Sequence, residues 1–164
     1  MAKKHNQTAG TQATVALTAA GVDFTVHPYD HDPRAESYGL EAAEALGVPP
    51  ERVLKTLLAD IDGELVVAVV PVSGQLDLKA LARAVGGRRA AMADPTAAER
   101  STGYVVGGIS PVGQRKRLRT VVDESALTHA GVLVSGGRRG LDLELSPTDL
   151  VGVTGAVTAR IGRP

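Results

Sequence analysis

The stretch VLKTLLADIDGELVVAVVP, residues 53–71, restricts the fold more than any other segment. Two apolar runs flank Asp62-Gly63, a pair that favours the positive φ angles of a two-residue hairpin turn. With that turn, Ile61 faces Glu64 and Lys55 faces Val70. Alternation then puts Val53, Lys55, Leu57 and Ala59 on one face with Val66, Ala68 and Val70, and Leu54, Thr56 and Leu58 on the other with Leu65, Val67 and Val69. Both faces are apolar, so the hairpin belongs in the middle of a sheet with both sides covered. Lys55 is the exception. An ammonium among apolar side chains must snorkel to water, find a partner or line a cavity.

The rest of the chain supplies elements to cover such a hairpin. Helical composition over 11–20 stops at Gly21, and SYGLEAAEALG stops at Gly47. Asp77 opens a helix in DLKALARAVGG, and Asp94-Pro95 opens another in DPTAAERSTG. SPTD, 146–149, resembles a capping box with Asp in place of Glu. Strand patterns occur in VDFTVH, RRAAMA, YVVGGISPVG, RTVVDES, GVLVSGG and GLDLELS. Strands and helices alternate while hairpin signals persist, which predicts an α/β fold: a mixed, barrel-like β-sheet flanked by helices in a single compact domain over 11–164, after a flexible polar start over 1–10.

With 164 residues, 43% of them hydrophobic and 2% aromatic, the core must be built from Val, Leu and Ala. No apolar run is long enough to span a membrane. The absence of Cys excludes disulfides, thiolate nucleophiles and Cys-ligated zinc, and fits a cytoplasmic setting. Net charge is zero, but residues 1–82 carry 6 Lys/Arg against 11 Asp/Glu and residues 83–164 carry 12 against 7. The basic excess gathers in QRKRLR, holding Arg115, Lys116, Arg117 and Arg119, and in Arg138-Arg139, and such clusters suit phosphate contacts.

Familiar catalytic sets are missing. Ser110 in GGISPVG is not a serine elbow. Pro28 separates His27 from His31, so the two do not share a helix face. HPYDHD could still hold a metal with Asp30 and Asp32, and a polar surface loop explains it as well. Gly107-Gly108 and Gly136-Gly137 allow close backbone approach to an oxyanion or phosphate, or form tight turns. The residues thus describe a site for an anionic or carbonyl-bearing ligand with no evident protein nucleophile.

In order, YDHDP, VLKTLLA, PVSGQLDLKALA, MADP, RSTGYVVGGISPVGQ and VSGGRRGLDLEL resemble the YbaK-type family of aminoacyl-tRNA deacylases, over residues 12 to 152. The resemblance implies trans-editing, the hydrolysis of the ester between a wrong amino acid and tRNA, chiefly cysteine on proline tRNA, with no cofactor or metal. It puts the functional lysine on Lys55, followed by Thr56, and pocket positions on Tyr29, Tyr38, Gly107, Ser135 and Asp142, with Ser110 near them. Tyr38 stands where familiar members carry Phe, adding a hydroxyl. The N–H groups of Gly107 and Gly108 suit an oxyanion. The family's implied nucleophile is the substrate's own thiol. Mischarged tRNA is the implied partner, with prolyl-tRNA synthetase a second. Two other readings stay open: a deacylase for alanine or serine, and a non-catalytic module that binds aminoacyl-tRNA.

Overall fold

The computed structural model describes residues 10–164. The flexible start expected over 1–10 lies outside the described residues except for Gly10. In chain order the elements are α1 (Gln12–Ala19), β1 (Thr25–Pro28), α2 (Tyr38–Leu46), β2 (Leu54–Ile61), β3 (Glu64–Pro71), β4 (Gln75–Leu76), α3 (Leu78–Ala84), β5 (Ala90–Met92), α4 (Pro95–Thr102), β6 (Arg119–Asp123), β7 (Val132–Ser135), β8 (Leu141–Leu145), α5 (Pro147–Thr154), β9 (Val157–Ala159) and β10 (Gly162–Arg163). Short 3-10 turns precede β2 and follow β6.

The hairpin forms in the expected register, with Ile61 opposite Glu64 and Lys55 opposite Val70. Asp62 and Gly63 both have positive φ, 52° and 90°, as the tight turn requires. The Asp62 carboxylate accepts from the backbone N–H groups of Arg88 and Arg89, tying the tip to the segment before β5. These bonds hold that carboxyl below the usual range. Three helix starts follow the caps read in the sequence, Asp77, Asp94 and Ser146, and Ser37 caps α2 in the same way; each accepts a first-turn N–H.

A five-stranded sheet runs β5-β2-β3-β6-β9, with β3–β6 and β6–β9 parallel and the other pairs antiparallel. A second sheet, β1-β8-β7, is antiparallel, and β10 pairs with β4. The sheet is therefore mixed, as expected. It does not close into a barrel; one parallel bridge between Val53 and Leu133 links β7 to the start of β2.

Both faces of the hairpin are covered. Leu54, Leu58, Val67 and Val69 pack with α1, α4, α5 and the β1-β8-β7 sheet. Ala59, Ile61, Val66, Ala68 and Val70 pack beneath Leu81 and Ala82 of α3 and Ile161. A third cluster seats α2 on Val53, Val72 and Leu133. Gly39 makes that seat close: a Cβ there would run into Val72 Cγ1. The expected strand in YVVGG is absent, and residues 104–113 form loop and turns. The cause is local, since the Val106 peptide is held by side chains, Gly107 has φ 90° and Gly108 N–H donates to Val105 O at 2.9 Å.

Candidate active site

The two neighbours on one edge of β2 do not meet. β7 reaches it only at Val53, and β5 pairs with Ala59–Ile61. Ala93 N–H donates to Leu58 O at 3.0 Å, so the Leu58 backbone points to this edge. Two residues earlier, the Thr56 backbone points the same way, toward no strand. A cavity of about 370 Å³ occupies the gap. Its floor is Leu54–Leu58; its walls are Tyr29, Tyr38, Met92, Ala98, Val106, Gly107, Ile109, Ser135, Arg138 and Asp142.

The fold explains each placement. Tyr29 follows the last residue of β1, where its N–H donates to Gly140 O at 2.9 Å. Tyr38 is the first residue of α2, held at the mouth by the close approach of Gly39 to Val72. Ser135 and Asp142 are cross-strand partners on β7 and β8. Lys55 is half-buried on β2, and among the described residues no carboxylate lies within ion-pair distance of it. Burial lowers its pKa below the ordinary lysine value. Asp142 is 6% exposed, and burial pushes its carboxyl up to about 7. Burial, then the nearby Asp142 charge, raises the Tyr29 phenol to about 12. The Thr56 hydroxyl oxygen is buried with no hydrogen-bond partner among the described residues. A lone cation on the floor and a reluctant acid on a wall suit a ligand carrying both an electron-rich oxygen and an ammonium.

Lys55, Thr56, Tyr29, Tyr38, Gly107, Ser135 and Asp142 thus share one cavity, with Arg138 at its wall. Two expected members do not line it. Ser110 is fully buried, its hydroxyl accepting from Val112 N–H at 3.2 Å. Gly108 cannot offer its N–H to an oxyanion, because that group donates to Val105 O. Among the described residues no acceptor is bonded to Gly107 N–H.

The basic residues divide. Arg115, Lys116 and Arg117 are exposed on the loop before β6. Arg119 is occupied, donating to Val85 O at 2.9 Å and pairing with Glu64 at 3.5 Å. Arg139 is engaged with Val106 and the Tyr38 ring. HPYDHD is not assembled around a metal: His27 bonds Glu144 and His31 bonds Glu41, each at 2.8 Å. Among the described residues, no three His, Asp or Glu side chains are grouped to hold an ion.

Sequence reading missed Met92, Ile109 and Glu99. The first two are apolar wall residues that carry no local signal of a site. Glu99 looks like an exposed helical glutamate, yet it accepts from Val106 N–H at 2.8 Å.

Among the described residues, no helix is long and apolar enough to cross a membrane. Residues 32–153 match the family model described as "Aminoacyl-tRNA editing domain". The chain is 39% identical over 121 residues to a protein of Enterococcus faecalis named "Putative Cys-tRNA(Pro)/Cys-tRNA(Cys) deacylase EbsC", covering 73% of each. It is 29% identical over 107 residues to the "Multifunctional Ser/Thr-tRNA deacylase ProXp-y" of Escherichia coli K12, covering 65% of this chain and 64% of that one. A solved structure described as "a putative trans-editing enzyme for prolyl tRNA synthetase" superposes with TM-score 0.83 and 27% identity, over 93% of this chain and 96% of that one. The open-edged sheet, the cavity at Lys55 and this span of likeness agree: the chain belongs to the aminoacyl-tRNA editing domain family.

Proposed function

We propose that this chain is a trans-editing aminoacyl-tRNA deacylase whose preferred substrate is cysteine esterified to proline tRNA. The observation that carries the reading is a cavity with an unpaired cation and a buried acid in which, among the described residues, no hydroxyl is hydrogen-bonded to a carboxylate or a histidine; Ser135, across from Asp142, instead accepts from Gly137 N–H at 3.2 Å. The cavity's hydroxyls are those of Ser37, Thr56, Ser135 and the two tyrosines, and no histidine lines it. The substrate's thiol then supplies the nucleophile. Its sulfur attacks the ester carbonyl carbon, the bond from that carbon to the ribose oxygen breaks, and the thiol proton passes to the departing oxygen. The released amino acid is a four-membered cyclic thioester that water opens. A thiol is partly ionised near neutral pH and strongly nucleophilic, whereas a serine hydroxyl is neither.

In this reading Lys55 holds the carbonyl oxygen or the adjacent phosphate by its point charge, and Gly107 N–H faces the developing oxyanion. Asp142, beside Tyr29, receives the α-ammonium, whose approach favours the ionised carboxylate. Tyr38, Ser135 and Thr56 shape the wall around the amino-acid side chain. Arg138, with Arg115, Lys116 and Arg117, takes tRNA phosphates. Action on free mischarged tRNA in the cytoplasm, alone or beside prolyl-tRNA synthetase, completes the proposal.

Likeness to a Ser/Thr-tRNA deacylase favours a second reading, in which a positioned water attacks serine or threonine esters. Release from charged proline tRNA, compared for cysteine, S-methylcysteine, serine and alanine, separates the two. Fast release of cysteine alone, abolished by S-methylation, supports the thiol mechanism. Equal rates for cysteine and S-methylcysteine overturn it.

A further inference from the structure

We infer that Glu99 and Arg139 are positioning residues that hold the backbone N–H and C=O of Val106, in two successive peptides, and thereby fix the Gly107 rim of the cavity. The inference rests on the deacylase reading for its catalytic consequence, but the clamp is visible without it. Glu99, on α4, accepts from Val106 N–H at 2.8 Å. Arg139, from the loop between β7 and β8, directs Nε and Nη2 at Val106 O, at 3.1 and 2.6 Å. One residue of an irregular loop thus has its donor held by an anion and its acceptor by a cation. Charge-assisted bonds of this kind are shorter and stronger than neutral ones.

The same guanidinium stacks on Tyr38, with Cζ 4.8 Å from the ring centroid. It therefore joins three segments: the first turn of α2, the 105–108 loop and the 136–140 loop. Gly107 is fitted to this junction. A Cβ there would lie 2.6 Å from Arg139 Nε and 2.9 Å from Tyr38 Cε2. Val106 C=O and Gly107 N–H share one planar peptide, so the Arg139 bonds fix the Gly107 N–H direction, while Glu99 fixes the peptide before it. Arg139 thus has a role that its place in a basic pair conceals. A phosphate contact needs only a positive charge; the clamp needs the planar fork and the flat face, which lysine lacks.

Lysine substitution separates the two roles. Arg139→Lys and Arg139→Gln are each expected to lower kcat by about 10-fold, since a misplaced oxyanion donor weakens the transition state, with KM within about twofold and the salt dependence of tRNA binding unchanged. Glu99→Ala is expected to give the same signature, and Glu99→Ala with Arg139→Gln to lose little more than either alone. Hydrogen exchange of the peptide spanning residues 103–112, in the tRNA-free protein, is expected to speed up by about 10-fold in all three single variants as the loop opens locally. Wild-type kinetics in Arg139→Lys, with raised KM and a flatter salt slope only in Arg139→Gln, would overturn the clamp in favour of a phosphate contact. Unchanged exchange in every variant would overturn it too. Faster exchange in a protein that releases no amino acid from any charged tRNA would overturn the deacylase reading and leave the clamp standing.

Discussion

β2 is one strand with two unlike halves. From Ala59 to Ile61 it has a partner on each edge, β3 and β5, and Ala59 and Ile61 are buried under α3. From Lys55 to Leu57 it pairs only with β3, and the vacated edge opens on the cavity. Composition hardly separates the halves, since both are apolar apart from one or two residues. Pairing does. The hollow arises because β7 and β5 stop short of each other along one edge of β2, which leaves a lysine, a hydroxyl and backbone polar groups facing it.

The contrast is sharpest under substitution. Lys55→Ala is expected to fold normally, since it breaks no ion pair, and to lower deacylation by roughly 10³-fold, the size of effect produced by removing one preorganised electrostatic interaction. Single-turnover release, read beside a urea melt, checks both parts. Near-normal release would reduce Lys55 to a snorkelling side chain and the open half to a surface feature.

On the facing wall, Asp142 carries the pH dependence. Its folded pKa of about 7 exceeds the ordinary 3.8, so the folded protein holds this proton more tightly than the unfolded chain. Folding is therefore favoured below both values, and the advantage declines as pH rises from about 4 to about 7, by at most ~4 kcal/mol. Asp142→Asn is expected to flatten stability across that window and to be the more stable protein at pH 8. Parallel stability curves for the two proteins between pH 4 and 8 would refute this.

The closed half should behave in the opposite way to Lys55. Ile61→Ala empties a fully packed site and is expected to cost about 2–4 kcal/mol, with kcat/KM for the folded fraction unchanged. Denaturant midpoints and release rates measured on one preparation test whether the halves are separable.

The smallest effect concerns the flank. Neutralising Arg115, Lys116 and Arg117 together is expected to flatten the log–log salt slope of tRNA binding by about one unit for each phosphate left without its cation, while Arg119→Gln barely moves it, because Arg119 already serves Val85 and Glu64. An unchanged slope in the triple variant would place the docking surface elsewhere, with Arg138 next.

Much of this was legible in the chain, for reasons that differ by residue. The hairpin register followed from Asp62-Gly63 because a two-residue turn permits only one pairing. The caps at Asp77, Asp94 and Ser146 followed because a helix start needs a short polar acceptor. The anomaly of Lys55 followed from alternation alone. What stayed hidden depends on pairing between distant segments. Nothing in RRAAMA or GVLVSGG says that β5 and β7 will leave three residues of β2 uncovered. YVVGG reads as a strand because valines favour one; the turn at Gly107-Gly108 bends it, and Glu99 and Arg139, one on α4 and the other after β7, hold it as a rim. β9 and β10 were missed because they are only three and two residues long.

A bare strand edge invites another chain to add to it, which is how soluble sheets begin to aggregate. The bridge at Val53 and the pairing at Ala59 bracket the bare edge of β2 so closely that no second strand can settle between them. The protein can therefore keep an unmet stretch of backbone facing its cavity, open to a small ligand yet closed to a strand from its own neighbours in a crowded cell.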